Sequence, residues 1–305
     1  MRTGRRAGFD RPVEITLSTP SVAQLDEVVA VLGRWQDDVT AFQLHPGDLG
    51  WFWRYGAEAT AAAVRTWSRD GEVLAIGLLD GAEVLRMTVA PELWREEELA
   101  RQVLADVSDP TRGVLQAGVV SIEAPNGCRV QGLLSDVGWN DGEAWTPLTR
   151  DLTEPVVAPE LRIELVGPQQ ASAYAAVVAS AFGTQPREER WHAMATGPAY
   201  ADACSLIAYD DQGAAAAVAT VWSAGPGRPG VIEPMGVHAD HRGHGYGRMI
   251  CVAAAAELQR MGASSATVCT SSERTAAVAT YGSAGFRSLP ERLDRTRRSE
   301  DPDPR

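Results

Sequence analysis

No lysine occurs in this 305-residue chain; all 28 basic residues are arginine. That absence removes every mechanism built on a lysine amine: a pyridoxal Schiff base, a P-loop lysine, the ATP-pairing lysine of a protein kinase. Arginine cannot stand in, because guanidinium keeps its proton and is no amine nucleophile. Positive charge is scarce overall. Forty acidic residues leave a net charge of −12, which argues against a nonspecific nucleic-acid binder, since such a protein needs a basic face to displace counterions. A cationic substrate is the easier partner, and an anionic ligand would need arginines or helix N-termini placed locally. Cysteine is sparse too. Cys128, Cys204, Cys251 and Cys269 lie far apart with no C-x-x-C, so neither a zinc site nor a disulfide framework is expected. Long apolar runs are missing: stretches such as Ile250–Ala256 are far below bilayer length, and the Arg-rich Met1–Arg11 precedes no signal-type apolar segment. The expected setting is the cytoplasm, without a membrane partner, and the Arg- and Ala-rich usage is that of a GC-rich bacterial genome.

What is present is enough apolar sequence, 45%, for one large domain or two ordinary ones. The polar run Thr149–Pro159, with two prolines, is the best linker. On either side the chain reads alike. Val13–Thr19 and Leu161–Val166 alternate as strands, followed by the periodic helices Val22–Leu32 and Gln169–Phe182. Strands Glu72–Leu79 and Glu83–Val89 match Leu206–Tyr209 and Val231–Val237. Long helices follow at Glu96–Val107 and Gly245–Met261, then strands at Leu115–Ile122 and Ala266–Thr270. Met87-Thr88-Val89 aligns with Met235-Gly236-Val237 at an offset of 148, and Gly138-Trp139 with Gly285-Phe286 at 147. So small a drift points to a duplicated α/β unit, each copy a mixed central sheet flanked by helices: residues 1–150 and 159–290. Residues 291–305, mixing charge and proline, read as a flexible tail.

The chemistry concentrates in the second unit. Val231 to Arg248 reads as strand, short loop, Gly-rich turn and helix. Gly243, Gly245 and Gly247 let backbone N–H groups converge on an anion at a helix start, and Arg242 and Arg248 add the positive charge the chain otherwise lacks. This is a phosphate or pyrophosphate cradle. It is not the dinucleotide fingerprint, because the third glycine of G-x-G-x-x-G is missing from either register: Arg248 or Ile250 stands there.

The R-x-x-G-x-G run at Arg242, Gly245 and Gly247 resembles the acyl-CoA pyrophosphate loop of the GNAT N-acetyltransferase family. The stretch from Val268 through Tyr281 to Gly285-Phe286 is similar to that family's closing strand–helix block. The resemblance covers about Leu161 to Arg287 and implies acetyl-CoA as co-substrate, held by Met235, Val237, Arg242, Gly243, His244, Gly245, Tyr246, Gly247 and Arg248. It further implies direct attack by a primary amine in a ternary complex. The Val237 N–H would polarise the thioester oxygen, Glu233 is the first candidate for the base, and Tyr281 would protonate the departing thiolate. One departure stands out: Arg274 occupies the position seven before Tyr281 where the family often has an Asn, and Ser271 or Ser272 would have to replace its contact.

At the same register the first unit has lost these groups. Leu85 stands at the place of Glu233, Trp94 at Arg242, Glu97 at Gly245, Leu99 at Gly247 and Leu134 at Tyr281, and Glu96-Glu97-Glu98 would repel a pyrophosphate. It reads as a degenerate copy with an acceptor-side or structural role. Seven of the nine tryptophans lie before residue 150, and the Gly50–Tyr55 cluster after His45-Pro46-Gly47-Asp48 would either wall an acceptor pocket or pack between the halves. His238, His241 and His244 straddle a tight turn without supporting ligands, so no metal is expected. His192, beside Trp191, reads as a surface or core residue. Two other readings stay open: acetylation of an amino-sugar cysteine conjugate by a mycothiol-synthase-like enzyme, and a non-catalytic acyl-CoA-binding module. A homodimer is compatible with all three.

Overall fold

The computed structural model describes residues 14–40 and 42–298. The first half runs β1 (Thr16–Ser18), α1 (Leu25–Arg34), α2 (Pro46–Phe52), α3 (Ala57–Ala63), β2 (Val64–Arg69), β3 (Glu72–Leu79), β4 (Val84–Val89), α4 (Glu97–Ser108), β5 (Val120–Glu123), α5 (Arg129–Asp136) and β6 (Asn140–Asp151). The second runs β7 (Ile163–Leu165), α6 (Ala171–Phe182), α7 (Glu188–Met194), β8 (Ala203–Tyr209), β9 (Ala215–Trp222), β10 (Gly230–Val237), α8 (Tyr246–Arg260), β11 (Ser265–Ser271), α9 (Thr275–Ser283), β12 (Arg287–Ser288) and β13 (Arg292–Arg297). Most of the strands and helices expected from periodicity are there, shifted by a few residues at their ends. The strand at Leu115–Ile122 shrinks to β5.

These thirteen strands form one sheet, ordered β1-β2-β3-β4-β5-β13-β6-β11-β10-β9-β8-β7, with β12 beside β6. Among the described residues only β4·β5 and β10·β11 are parallel; the other pairs are antiparallel. The order is a palindrome around its centre, and there the halves trade strands. β6 closes the first half in sequence but pairs along its length with β11 of the second, Trp145 to Asp151 against Ser271 to Ser265. β13 closes the second half but inserts beside β5 of the first, Arg295 opposite Ile122.

The strand exchange corrects two expectations from the sequence. Residues 291–298 are no flexible tail: β13 is an interior strand, with Arg292 and Asp294 both buried. Alternating charge hid it, because its inward face carries Arg292 and Asp294, whose charges are met by partners rather than by solvent. Nor does the linker begin at Thr149. Residues 149–151 finish β6, the buried Leu152 donates its N–H to Ser264 O, and the connection between the halves starts after that. Met1–Arg11, Val13 and residues 299–305 lie outside the described residues.

Both faces of the sheet are covered in each half. In the first, α4 and α5 pack Leu99, Val103, Val107 and Leu134 on one face, and α1 to α3 pack Leu25, Leu32 and Leu49 on the other. In the second, α8 and α9 pack Ile250, Leu258 and Tyr281, and α6 and α7 pack Tyr174, Val177 and Trp191. The halves also meet through α2, which lies on Trp222 of β9. Gly50 makes this approach possible, since a Cβ there would sit 2.2 Å from the indole ring.

Candidate active site

The two parallel strand pairs differ where it matters. β10 and β11 pair only at Gly230 and Val231. Pro234 has no N–H to give a neighbour, the register with β9 slips between Ile232 and Met235, and the two strands part. In the first half, β4 and β5 stay paired through Arg86 opposite Glu123, the positions equivalent at offset 148 to those left unpaired in β10. One gap is open and its counterpart is closed.

Val237 ends β10. The next residue, His238, donates its N–H to Ala216 O of β9 at 2.9 Å. Successive N–H groups along a strand point to opposite edges, so the Val237 N–H faces the gap. Beyond it the chain turns through Gly243 (φ 79°) to Gly245 (φ 85°), the residue before α8. Left-handed backbone at both points is free to glycine and strained for other residues. Residues Arg242 to Gly245 are largely exposed, so the N–H groups at the start of α8 open outward. Arg242 lends one N–H to Ala181 O and Arg248 one to Ser283 O, both at 3.0 Å, so each guanidinium keeps most of its five donors for another partner. Gly247 sits against Thr280, where a Cβ would be 2.9 Å from its methyl group. The Tyr246 ring is engaged edge-on with His241, which bonds Asp210 at 3.0 Å. His238 and His241 meet edge to face at 5.7 Å, and no group of three metal-ligating side chains occurs among the described residues.

In the first half Glu96 caps α4, its carboxylate accepting the Leu99 N–H at 2.5 Å. Glu97 pairs with Arg129 and Arg101, and Glu96 with Arg69. The helix start that would hold an anion is filled by the chain's own carboxylate.

A cavity of about 820 Å³ opens from the β10–β11 gap. Glu233, Met235, Cys269, Ser271, Arg274 and Tyr281 line it from the second half, and Trp51, Arg86, Glu123 and Trp145 from the first. Glu233 and Tyr281, the base and acid candidates, thus share one chamber. Glu233 is 28% exposed, toward this space. Burial pushes its carboxyl up to about 8, Arg86 pulls against that, and Asp48 raises it further by charge and by a shared hydrogen bond. Tyr281 is buried, and burial raises its phenol well above the ordinary value, with Cys251 and Glu233 adding to the effect. Burial likewise pushes the Cys269 thiol up to about 12, which favours the thiol over the nucleophilic thiolate. Arg274 precedes α9 at the rim. Ser272 bonds Thr146 at 2.7 Å, while Ser271 lines the cavity.

Beneath Glu233 lies a charge network that sequence reasoning missed. Arg86 reaches Asp48 at 2.7 Å, Glu123 at 3.2 Å and Glu233 at 3.9 Å. Glu123 also accepts from Arg292 at 2.8 Å, and Trp145 donates to Asp294 at 3.0 Å. Burial, reinforced by Glu123 and opposed by Arg292, pushes Asp294 up to about 7. Its members come from α2, β4, β5, β10 and β13, and no local spacing announces them. The aromatic cluster divides between packing and the cavity. Trp53 is buried against Gly197 between the halves, and Trp51 forms cavity wall. His192 sits on α7, 3.3 Å from Glu188, away from the cavity.

An open strand gap above a glycine-rich helix start, doubled in outline across a palindromic sheet, defines a class. Residues 173–286 match the model of the acetyltransferase (GNAT) family. No curated protein matches the sequence. Among solved structures, the chain is similar to a tandem GNAT protein from the clavulanic acid biosynthesis pathway, solved without AcCoA, at 15% identity and TM-score 0.60, covering 94% of this chain and 99% of that one. A GCN5-related N-acetyltransferase from Sphaerobacter thermophilus (18%, TM-score 0.57, 93% and 95%) and a GNAT-family acetyltransferase from Colwellia psychrerythraea (16%, 0.59, 93% and 98%) are alike over similar lengths. Residues 173–286 are thus similar to the GNAT family, and the whole chain has the tandem GNAT fold.

Proposed function

We propose that the protein is an acetyl-CoA-dependent N-acetyltransferase acting on a small-molecule primary amine held between its two halves. The residues fit the co-substrate. The start of α8, with Arg242, Arg248 and the left-handed Gly243 and Gly245, would hold the pyrophosphate, and the β10–β11 gap has the shape of a slot for the pantetheine arm. Acetyl-CoA supplies the activated acyl group; the rest is the work of this chain. The Val237 N–H donates to the thioester oxygen and stabilises the charge that grows there during attack. Glu233 takes the proton of the incoming amine, and the Tyr281 hydroxyl gives one to the departing sulfur. The thiol form of Cys269 favours direct transfer in a ternary complex over an acyl-cysteine route.

The observation that carries this reading is the placement of Glu233 and Tyr281, from separate elements, on one cavity that opens from the strand gap. A module that merely bound acyl-CoA would need the loop and the gap, but not a carboxyl and a phenol lining the same cavity. A panel of amines, amino-sugar cysteine conjugates included, incubated with acetyl-CoA and followed by free-thiol release tests it. At least one amine should be acetylated in a reaction that Glu233→Gln slows. Thiol release with no amine, from a protein that still binds acetyl-CoA, would overturn it.

A further inference from the structure

The first half has a closed strand gap and a helix start blocked by Glu96, so it holds no second loop of the kind at 242–248. It nonetheless sends charged side chains under Glu233, and this points to what it contributes. We propose that Arg86 and Asp48 are positioning residues which hold the Glu233 carboxyl and set the charge it carries at working pH. Only the catalytic consequence rests on reading Glu233 as the base.

The geometry is specific. Arg86 stands on β4 next to Leu85, the residue at the place of Glu233 in the other copy. Arg86 is paired with Glu123 of β5, and its guanidinium reaches Glu233 of β10. Its Nη2 is held by Asp48 at 2.7 Å and its Nε by Glu123 at 3.2 Å, which leaves Nη1 aimed at Glu233 Oε1, 3.9 Å away. Asp48 is fixed in turn: its second oxygen accepts the His45 N–H at 2.6 Å at the start of α2. His45 is itself locked by the Gly47 N–H at 2.9 Å and by Pro229 O at 3.1 Å, and burial pushes its pKa down to about 4, so it stays neutral. On the far side of Glu233, its own carbonyl accepts the Trp222 indole N–H at 2.6 Å.

The charged and titratable groups around Glu233 are therefore Asp48 from α2, Arg54 from the turn after it, Arg86 from β4, with Glu123 of β5 behind it, and Tyr281 from α9. Two of these act with opposite sign. The Arg86 cation favours the ionised carboxylate; Asp48 disfavours it, as an adjacent anion. Removing Arg86 should make Glu233 harder to ionise, and removing the Asp48 charge should make it easier. A merely structural network has no reason to produce opposite signs.

The test reads Glu233 directly. The full-length chain is labelled with ¹³C at glutamate side-chain carboxyls, the Glu233 signal is assigned by its loss in Glu233→Gln, and its titration midpoint is followed by NMR. Arg86→Gln should raise the midpoint and Asp48→Asn should lower it, each by about one pH unit. Arg86→Lys, which keeps the charge, should stay close to the wild type. In turnover, the acid limb of kcat/KM should move the same way in each variant. If Arg86→Gln does not fold, the Asp48→Asn arm decides, since Asn keeps an oxygen for the His45 N–H. An unmoved midpoint in folded Asp48→Asn, or shifts of the same sign in both variants, overturns the inference. Opposite shifts in a chain that acetylates no amine would sink the function proposed above and leave this inference standing.

Discussion

Burial raises both Tyr281 and Glu233 above their ordinary values, but to different ends. Tyr281 sits in the second-half core, its ring edge-on to Phe286 at 6.0 Å, with its hydroxyl at the cavity. Tyr281→Phe preserves that packing and removes only the proton donor. Melting temperature and acetyl-CoA affinity should hold while kcat falls by roughly 10²–10⁴-fold; an unchanged kcat with an activated amine would make water the donor. For Glu233 the consequence reaches stability. Its folded value of about 8, and that of Asp294 at about 7, lie above the usual carboxylate range near 4. Between those limits the folded chain keeps protons that the unfolded chain has released, so stability falls as pH rises from about 4.5 to 8. Thermal melts at about pH 5.5 and 8.5 should show this decline, and Glu233→Gln should flatten it and be more stable than wild type at the higher pH. A wild-type protein whose melting temperature rises over that interval would contradict the assignment.

At the scale of elements, the two helix starts are a controlled comparison within one chain. α8 begins on left-handed glycine with its N–H groups open and two arginines beside it, whereas α4 begins on a glutamate whose carboxylate already accepts the Leu99 N–H. An anion is therefore welcome at one and redundant at the other. Calorimetric titration should give one acetyl-CoA per chain. Arg242→Glu, which places an anion at the open start, should weaken binding roughly 10- to 100-fold, the range for a lost charge-assisted hydrogen bond. Two equivalent sites per chain would refute the contrast.

The whole molecule is held together by exchange. β13 lies between β5 and β6, so each half's sheet is completed by the other's last strand, and the buried Glu123 depends on Arg292 from β13. Ending the chain at Leu289 should destabilise both halves in one transition. At least about 3–5 kcal/mol should be lost, the cost of leaving a buried ionic partner unpaired, as read by urea unfolding followed by circular dichroism. A truncated protein with the full-length midpoint would mean that the exchange contributes little.

Features carried by neighbours in the chain are legible in the amino-acid order alone. Glycine at 243, 245 and 247 beside Arg242, the Tyr281–Phe286 step, and the repeat at offset 148 all express short-range requirements: backbone freedom, helix starts, strand and helix periods. The degeneracy of the first half is readable in the same way, because Glu96 occupies a position whose partner is known from the second copy. What lies beyond reach depends on contacts between residues far apart in the chain. Arg86 and Glu233 are separated by nearly half the sequence, and β13 looks like a charged tail until Glu123 and Trp145 are placed beside it. Alternation marks a strand only when one face is apolar; a strand whose inner face is ionic has its signal cancelled, and only the tertiary structure supplies the opposite charges. The open gap of one copy and the closed gap of the other are decided at that level too, by where pairing stops after Val231 and where it continues to Arg86.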